Sequence, residues 1–315
     1  MDKLKAAVLC AWGFATAGIY TVAAFVLIVL LIPFNRCSRA AYSVGKLWSR
    51  LILKTNRIRL DSVGLERIDP DRSYVFMANH ASHLDPPAIA VSIPNILRFI
   101  GKRSLARIPV FGPAARMAGV IFIDRGDSER SVAALNRTIK VLKNGTSTLF
   151  FAEGTRSPDG RLLPFKKGGV MLALQAGLPI VPVTVTGSHS LFPKKQWFIR
   201  PGTLRIEVGE PIEVTRFTTA DRNWLLQRVR TVIQASLDRG NRTHGINELN
   251  LPQVWQRSFT TGYAPLIEAV TLCTVSFIPP VQCIHEPCAF LSVKASDPPV
   301  VLLLLLHASQ WVGVQ

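Results

Sequence analysis

The sequence predicts an α/β fold: a mixed, largely parallel central sheet flanked by helices, behind an N-terminal membrane helix or helical hairpin. Two observations predict it. Short apolar runs alternate with helix-spaced stretches between about residues 58 and 238, and a long uncharged run precedes them. The 315 residues divide accordingly into an anchor with a basic amphipathic segment (1–57), an α/β domain (58–240) and a tail without clear periodicity (241–315).

Residues 6–32 carry no charge over 27 positions, and a membrane-spanning helix needs roughly 20. The run is too long for the apolar core of a signal peptide, commonly about 7–15 residues, and no small-x-small cleavage site follows it. It therefore reads as a retained anchor. Arg36, Arg39, Lys46, Arg50, Lys54, Arg57 and Arg59 crowd behind it, which places the bulk of the chain on the cytoplasmic face of a membrane. Lys3 and Lys5 pull the same way, so a hairpin bent near Gly13 or Gly18 fits as well as a single span. Over 41–53, Tyr42, Leu47, Leu51 and Ile52 interleave with Lys46 and Arg50. Two readings fit that pattern: a helix lying on an anionic surface, or one packed on the domain.

The strand-like runs of the domain are 74–77, 97–100, 120–123, 148–151, 180–185 and 204–208, and helical stretches fall at 86–92, 110–117, 129–143, 167–176 and 219–238. In the last, Trp224, Leu225, Val229, Val232, Ile233 and Leu237 recur at helix spacing. Pro182 interrupts its run and argues for an edge strand or a strand start. The tail ends near an apolar run of seven, 300–306, too short to span a bilayer.

Lys and Arg number 37 against 20 acids, a net charge of +17 that points to anionic partners: nucleic acid, acidic lipid or phosphorylated substrates. The five cysteines, Cys10, Cys37, Cys273, Cys283 and Cys288, suggest no disulfide framework, in keeping with a reducing compartment. Cys283, His285 and Cys288 lack a second ligand pair, so no metal site is read there.

Three polar turns follow strand-like runs. In NHASHLD (79–85), His80 and Asp85 would stand about 140° apart on one helix, so they meet only if His80 lies in the turn and Asp85 at the helix start. Asp85 before Pro86 has the form of an N-cap followed by proline at the first helical position. The pair is then either an ordinary cap or a base and its orienting acid. GVIFIDR (119–125) ends a strand in Arg125, suited to receive a phosphate or to pair with Asp124 or Asp127. FAEGTRS (151–157) supplies Glu153, Gly154, Thr155 and Arg156. Its backbone can form an anion nest, and Glu153 suits a hydroxyl or the orientation of Arg156 better than direct phosphate contact. Lys166 and Lys167 follow at a helix start, either as phosphate contacts or as a solvated loop.

NHASHLD, GVIFIDR, FAEGTRS and the VPV of 181–183, in that order behind a membrane segment, closely resemble the glycerolipid acyltransferase family. The resemblance implies transfer of an acyl group from a fatty acyl thioester to the 2-hydroxyl of 1-acyl-glycerol 3-phosphate, giving phosphatidic acid. It implies His80 and Asp85 as catalytic dyad, and Arg125 with Glu153, Gly154, Thr155 and Arg156 as the substrate-phosphate site. Lys102, Lys166, Lys167 and Pro182 complete the substrate-contacting set. His83 falls at a variable position and receives no role. Neither a metal nor a cofactor is implied, the donor being acyl-CoA or acyl carrier protein. The expected partners are a lysophospholipid acceptor, the thioester donor and an anionic membrane surface, with no nucleic acid. Related acceptors, such as glycerol 3-phosphate or another lyso-lipid, remain open, as does a non-catalytic basic membrane binder. Ala152 stands where the third block often has proline, a departure expected to loosen the turn.

Overall fold

The computed structural model describes residues 3–31, 37–123, 138–139, 142, 146–196 and 198–248. Arg125, nearly all of the helix expected at 129–143, and residues 249–315 lie outside them.

Helix α1 (Lys3–Leu31) runs unbroken through Gly13 and Gly18, so the bend expected within the apolar run is not there. Its segment Cys10–Leu31, with mean hydropathy 2.4, is long and apolar enough to cross a membrane. Thr16 and Thr21 return their hydroxyls to the carbonyls of Trp12 and Ala17, at 2.8 and 2.7 Å, which satisfies polar side chains inside an apolar helix. The hairpin forms between helices instead. Helix α2 (Cys37–Thr55) packs along α1, with Trp48 Nε1 donating to Thr21 Oγ1 at 3.2 Å and Ile28 packed among Ala41, Val44 and Ala114. Helix α2 also packs on the domain, as the second of its two readings has it. Tyr42 and Leu53 enter the domain core, and Lys46 Nζ donates to the carbonyl of Ile93 at 3.0 Å.

The strands are β1 (Ile58–Val63), β2 (Val75–Ala78), β3 (Ile96–Lys102), β4 (Ile121–Ile123), β5 (Thr146–Phe151), β6 (Ile180–Thr186) and β7 (Gly202–Val208). They form one seven-stranded sheet in the order β1-β7-β6-β2-β5-β3-β4. Every neighbouring pair is parallel except β6 with β7. The remaining helices are α3 (Asp85–Ser92), α4 (Phe111–Met117), α5 (Gly168–Ala176), α6 (Ser188–Leu191) and α7 (Arg222–Glu248), the last crossing the boundary expected at 240.

Successive residues of β2 face opposite layers. Phe76 and Ala78 pack with Ala88 and Ile89 of α3, whereas Val75 and Met77 pack with Val170 and Leu172 of α5 and Leu225, Val229 and Ile233 of α7. Both faces are covered, which is why this strand reads as a continuous apolar run.

Two expectations are corrected. Strand β1 had not been anticipated, because Arg59, Asp61 and Ser62 dilute an edge strand that is only half covered. Asp61 pairs there with Arg205 of β7 at 2.8 Å. Pro182 lies in β6, an interior strand, and not at an edge. It is tolerated because β7 has ended beside it: its carbonyl accepts from Gly209 at 2.8 Å, and Ile180 exchanges both main-chain bonds with Ile212. The missing proline N–H therefore interrupts no ladder between strands.

Candidate active site

Parallel pairing alone brings two of the three polar turns together. Ala78 of β2 is in register with Phe151 of β5, so the chain leaves both strands at the same sheet edge, with NHASHLD beside FAEGTRS. Ala152 extends this pairing by donating its N–H to the carbonyl of Ala78 at 2.8 Å. A proline would lack that donor, so alanine tightens the junction where loosening was expected.

His80 lies in the turn and Asp85 at the start of α3. Asp85 is 0% exposed, and its carboxylate reaches backward and caps no helix N–H. Oδ2 lies 2.8 Å from His80 Nδ1 and accepts the N–H groups of Ala81 and Ser82, both at 2.8 Å. An acceptor at Nδ1 places that nitrogen's proton toward Asp85 and leaves Nε2 as the acceptor. The imidazole is stacked on Phe151, centroids 3.9 Å apart and planes inclined by 22°. Main-chain bonds hold the residue from both sides, with His80 N–H donating to Glu153 Oε1 at 2.8 Å and its carbonyl accepting from Ser157 N–H at 2.7 Å.

Sequence reasoning assigned nothing specific to Asn79. Its amide donates to the carbonyl of Val185 at 2.9 Å and accepts that residue's N–H at 2.8 Å, which ties the turn after β2 to the end of β6. Asn79→Ala should leave both main-chain groups of Val185 unpaired in a buried site, lowering stability by about 1–3 kcal/mol per group. A thermal melt of the purified protein checks this.

The proposed phosphate residues separate. Gly154 has φ +71°, the left-handed conformation that lets the chain turn away from β5. Thr155 is exposed, and Arg156 is half-buried, near enough to His83 for its charge to act on that ring. Lys102 is exposed at the end of β3, on the sheet edge where β5 also ends, and Lys166 and Lys167 are exposed just before α5. Glu153 and Pro182 do not join this exposed group. Pro182 is buried in register with Met77, against Gly209. Glu153 is 3% exposed, with Oε1 on His80 N–H and Oε2 accepting Leu163 N–H at 3.0 Å.

Burial pushes the Glu153 carboxyl up to about 7, against the pull of those two N–H groups. His83 remains solvent-accessible, yet the protein packed around its ring, then Arg156 and His80, hold it down to about 4, hence neutral at physiological pH. Behind the turn, a cleft of about 670 Å³ opens beside Asn79, Ala81, Arg161, Thr186, Ser188 and His189.

A buried acid behind an imidazole, with exposed cations at the same carboxyl edge of an α/β sheet, is an arrangement suited to activating a hydroxyl beside an anionic group. The family model described as Acyltransferase matches residues 59–186. The chain is 36% identical over 201 residues to the chloroplastic 1-acyl-sn-glycerol-3-phosphate acyltransferase BAT2 of Brassica napus, covering 61% of this chain and 58% of that protein. It is 32% identical over 207 residues to the 1-acyl-sn-glycerol-3-phosphate acyltransferase of Limnanthes alba, covering 65% of this chain and 73% of that one. The crystal structure of the 1-acyl-sn-glycerophosphate acyltransferase PlsC from Thermotoga maritima superposes with a TM-score of 0.65 at 28% identity, covering 76% of this chain and 97% of the other. The chain belongs to the 1-acyl-sn-glycerol-3-phosphate acyltransferase family.

Proposed function

We propose that this protein transfers a fatty acyl group from a thioester to the 2-hydroxyl of 1-acyl-glycerol 3-phosphate, releasing the thiol and forming phosphatidic acid. The observation that carries the reading is the 2.8 Å contact between His80 Nδ1 and a buried Asp85 that already accepts two main-chain N–H groups. His80 Nε2 takes the hydroxyl proton as the oxygen attacks the thioester carbonyl. The C–O bond forms, the C–S bond breaks, and the leaving thiolate takes up the proton from the imidazolium. The acceptor is itself the nucleophile, so no acyl-enzyme is formed, and the chemistry balances without metal or cofactor.

Arg156, Thr155 and the turn at Gly154 receive the acceptor phosphate together with Arg125, which lies outside the described residues. Lys102, Lys166 and Lys167, all exposed, bind further anionic groups of either substrate. The anchor α1 delivers the domain to a membrane, and the cationic segment of α2 and β1 places it on the cytoplasmic, anionic side.

Purified protein with acyl-CoA and a thiol reagent tests the reading. Thiol release is expected with lysophosphatidic acid and at background level with glycerol 3-phosphate, lysophosphatidylcholine or no acceptor. Release with glycerol 3-phosphate alone would reassign the acceptor, and binding to anionic vesicles without any thiol release would make the protein a non-catalytic membrane binder.

A further inference from the structure

We infer that Glu153 is a positioning residue whose carboxylate joins the main-chain N–H of His80 to that of Leu163 and so sets where His80 stands; the inference rests on the acyl-transfer reading above. Three features carry it. Both carboxylate oxygens already accept part-buried main-chain donors, at 2.8 and 3.0 Å, so the group has its partners before any substrate arrives. Both main-chain polar groups of His80 are held by the same turn, since Ser157 N–H takes the His80 carbonyl at 2.7 Å.

The far end of the tie is itself anchored. Arg230 on α7 donates to the carbonyl of Leu163 at 2.6 Å and to that of Leu162 at 3.4 Å, with its guanidinium 5.4 Å from the ring centre of Phe165. A continuous path thus runs from α7 through Arg230, Leu163 and Glu153 to His80. Its function differs from phosphate binding. An anionic carboxylate beside a phosphate would repel it, whereas an acceptor between two N–H groups fixes a loop. Misplacing a reacting group by about 1 Å can lower the rate about 10²-fold, so such a tie acts on turnover and not on ground-state binding.

The charged and titratable groups facing Glu153 are Asp85 from α3, Arg230 from α7 and His80 itself. With the carboxyl raised to about 7, neutral solution holds a mixture of protonated and ionised forms. The ionised form is the one with acceptors at both oxygens, so turnover should rise with pH through about 7. Stability should run the opposite way. A carboxyl raised in the folded state contributes stability at low pH that is lost as pH rises through about 7.

Glu153→Gln in the full-length protein tests the assignment, because an amide keeps one acceptor and turns a donor toward the other N–H. We expect kcat to fall about 10-fold to 10²-fold, KM for lysophosphatidic acid to stay within about 2-fold, and the contribution of Glu153 to the rise of kcat near pH 7 to disappear. A rise in acceptor KM of about 10-fold at unchanged kcat would overturn the inference and return Glu153 to the substrate. Arg230→Met, which touches this path only at the carbonyls of Leu162 and Leu163, should lower kcat in the same sense by about 2-fold to 10-fold; wild-type turnover in that variant would also overturn it. The rate of His80 carbethoxylation, followed by peptide mass spectrometry, should change in both variants, and an unchanged rate counts against the tie. That readout needs no acyl transfer. It stands even if the wild type proves inactive toward lysophosphatidic acid, in which case the functional reading falls and the positioning role is judged separately.

Discussion

His80→Ala is expected to abolish acyl transfer while leaving the protein folded and membrane-bound. The side chain is 14% exposed, and what it contributes to the fold is limited. Alanine keeps the main-chain bonds to Glu153 and Ser157, and Asp85 Oδ2 keeps the N–H groups of Ala81 and Ser82. The variant loses the stack on Phe151 and one hydrogen bond to a carboxylate, about 1.5–3 kcal/mol together with the smaller ring contact. A domain of ordinary stability, about 5–15 kcal/mol, tolerates that. The chemistry is less forgiving, because among the described residues neither His83 nor His189 has a carboxylate hydrogen-bonded to its ring as His80 does. Removing a general base lowers the rate about 10²–10⁴-fold. The measurement is kcat by thiol release alongside the thermal melt and vesicle sedimentation of the same sample. Near-wild-type turnover would remove His80 as the base.

The sheet was legible because its inner strands are buried on both faces and therefore carry apolar runs that end in polar turns, as with Val75–Ala78 and the Leu149, Phe150, Phe151 end of β5. Strand β1 was not legible, since an edge strand with one ion-paired aspartate carries no such signal. Pro182 shows a limit of local rules. Proline does argue against an inner strand, but only where a neighbour needs its N–H, and the end of β7 removed that need.

At the site, residue types and their order identified the turns, and parallel register explains why two of them meet. Direction was hidden. Nothing in FAEGTRS tells that Glu153 faces inward to His80 and Leu163 while Thr155 faces solvent, because that depends on the left-handed turn at Gly154 and on which main-chain donors the loop over 157–163 leaves within reach. Asn79 escaped notice for the same reason, its partner lying 106 residues away in the chain.

Asp85→Asn and Asp85→Ala should separate the two tasks of one carboxylate. Oδ2 serves three donors, His80 Nδ1 and the N–H groups of Ala81 and Ser82, at a residue that is wholly buried. Asparagine can place its carbonyl where Oδ2 stood and keep the two main-chain bonds. Its amide nitrogen then replaces Oδ1, which has no hydrogen-bond partner among the described residues. The fold should survive, with a loss of about 1–2 kcal/mol. Catalysis should not survive, since a neutral amide in that place does not stabilise the imidazolium that forms as His80 takes the proton; a fall in kcat of about 10²–10⁴-fold is expected. Alanine goes further by stranding two buried N–H groups, about 1–3 kcal/mol each, and should lower the melting temperature as well as the rate. The diagnostic outcome is the contrast: a stable, inactive Asn variant beside an unstable, inactive Ala variant. If the Asn variant turned over at the wild-type rate, Asp85 would be a structural staple for the turn and the imidazole would need no acid behind it.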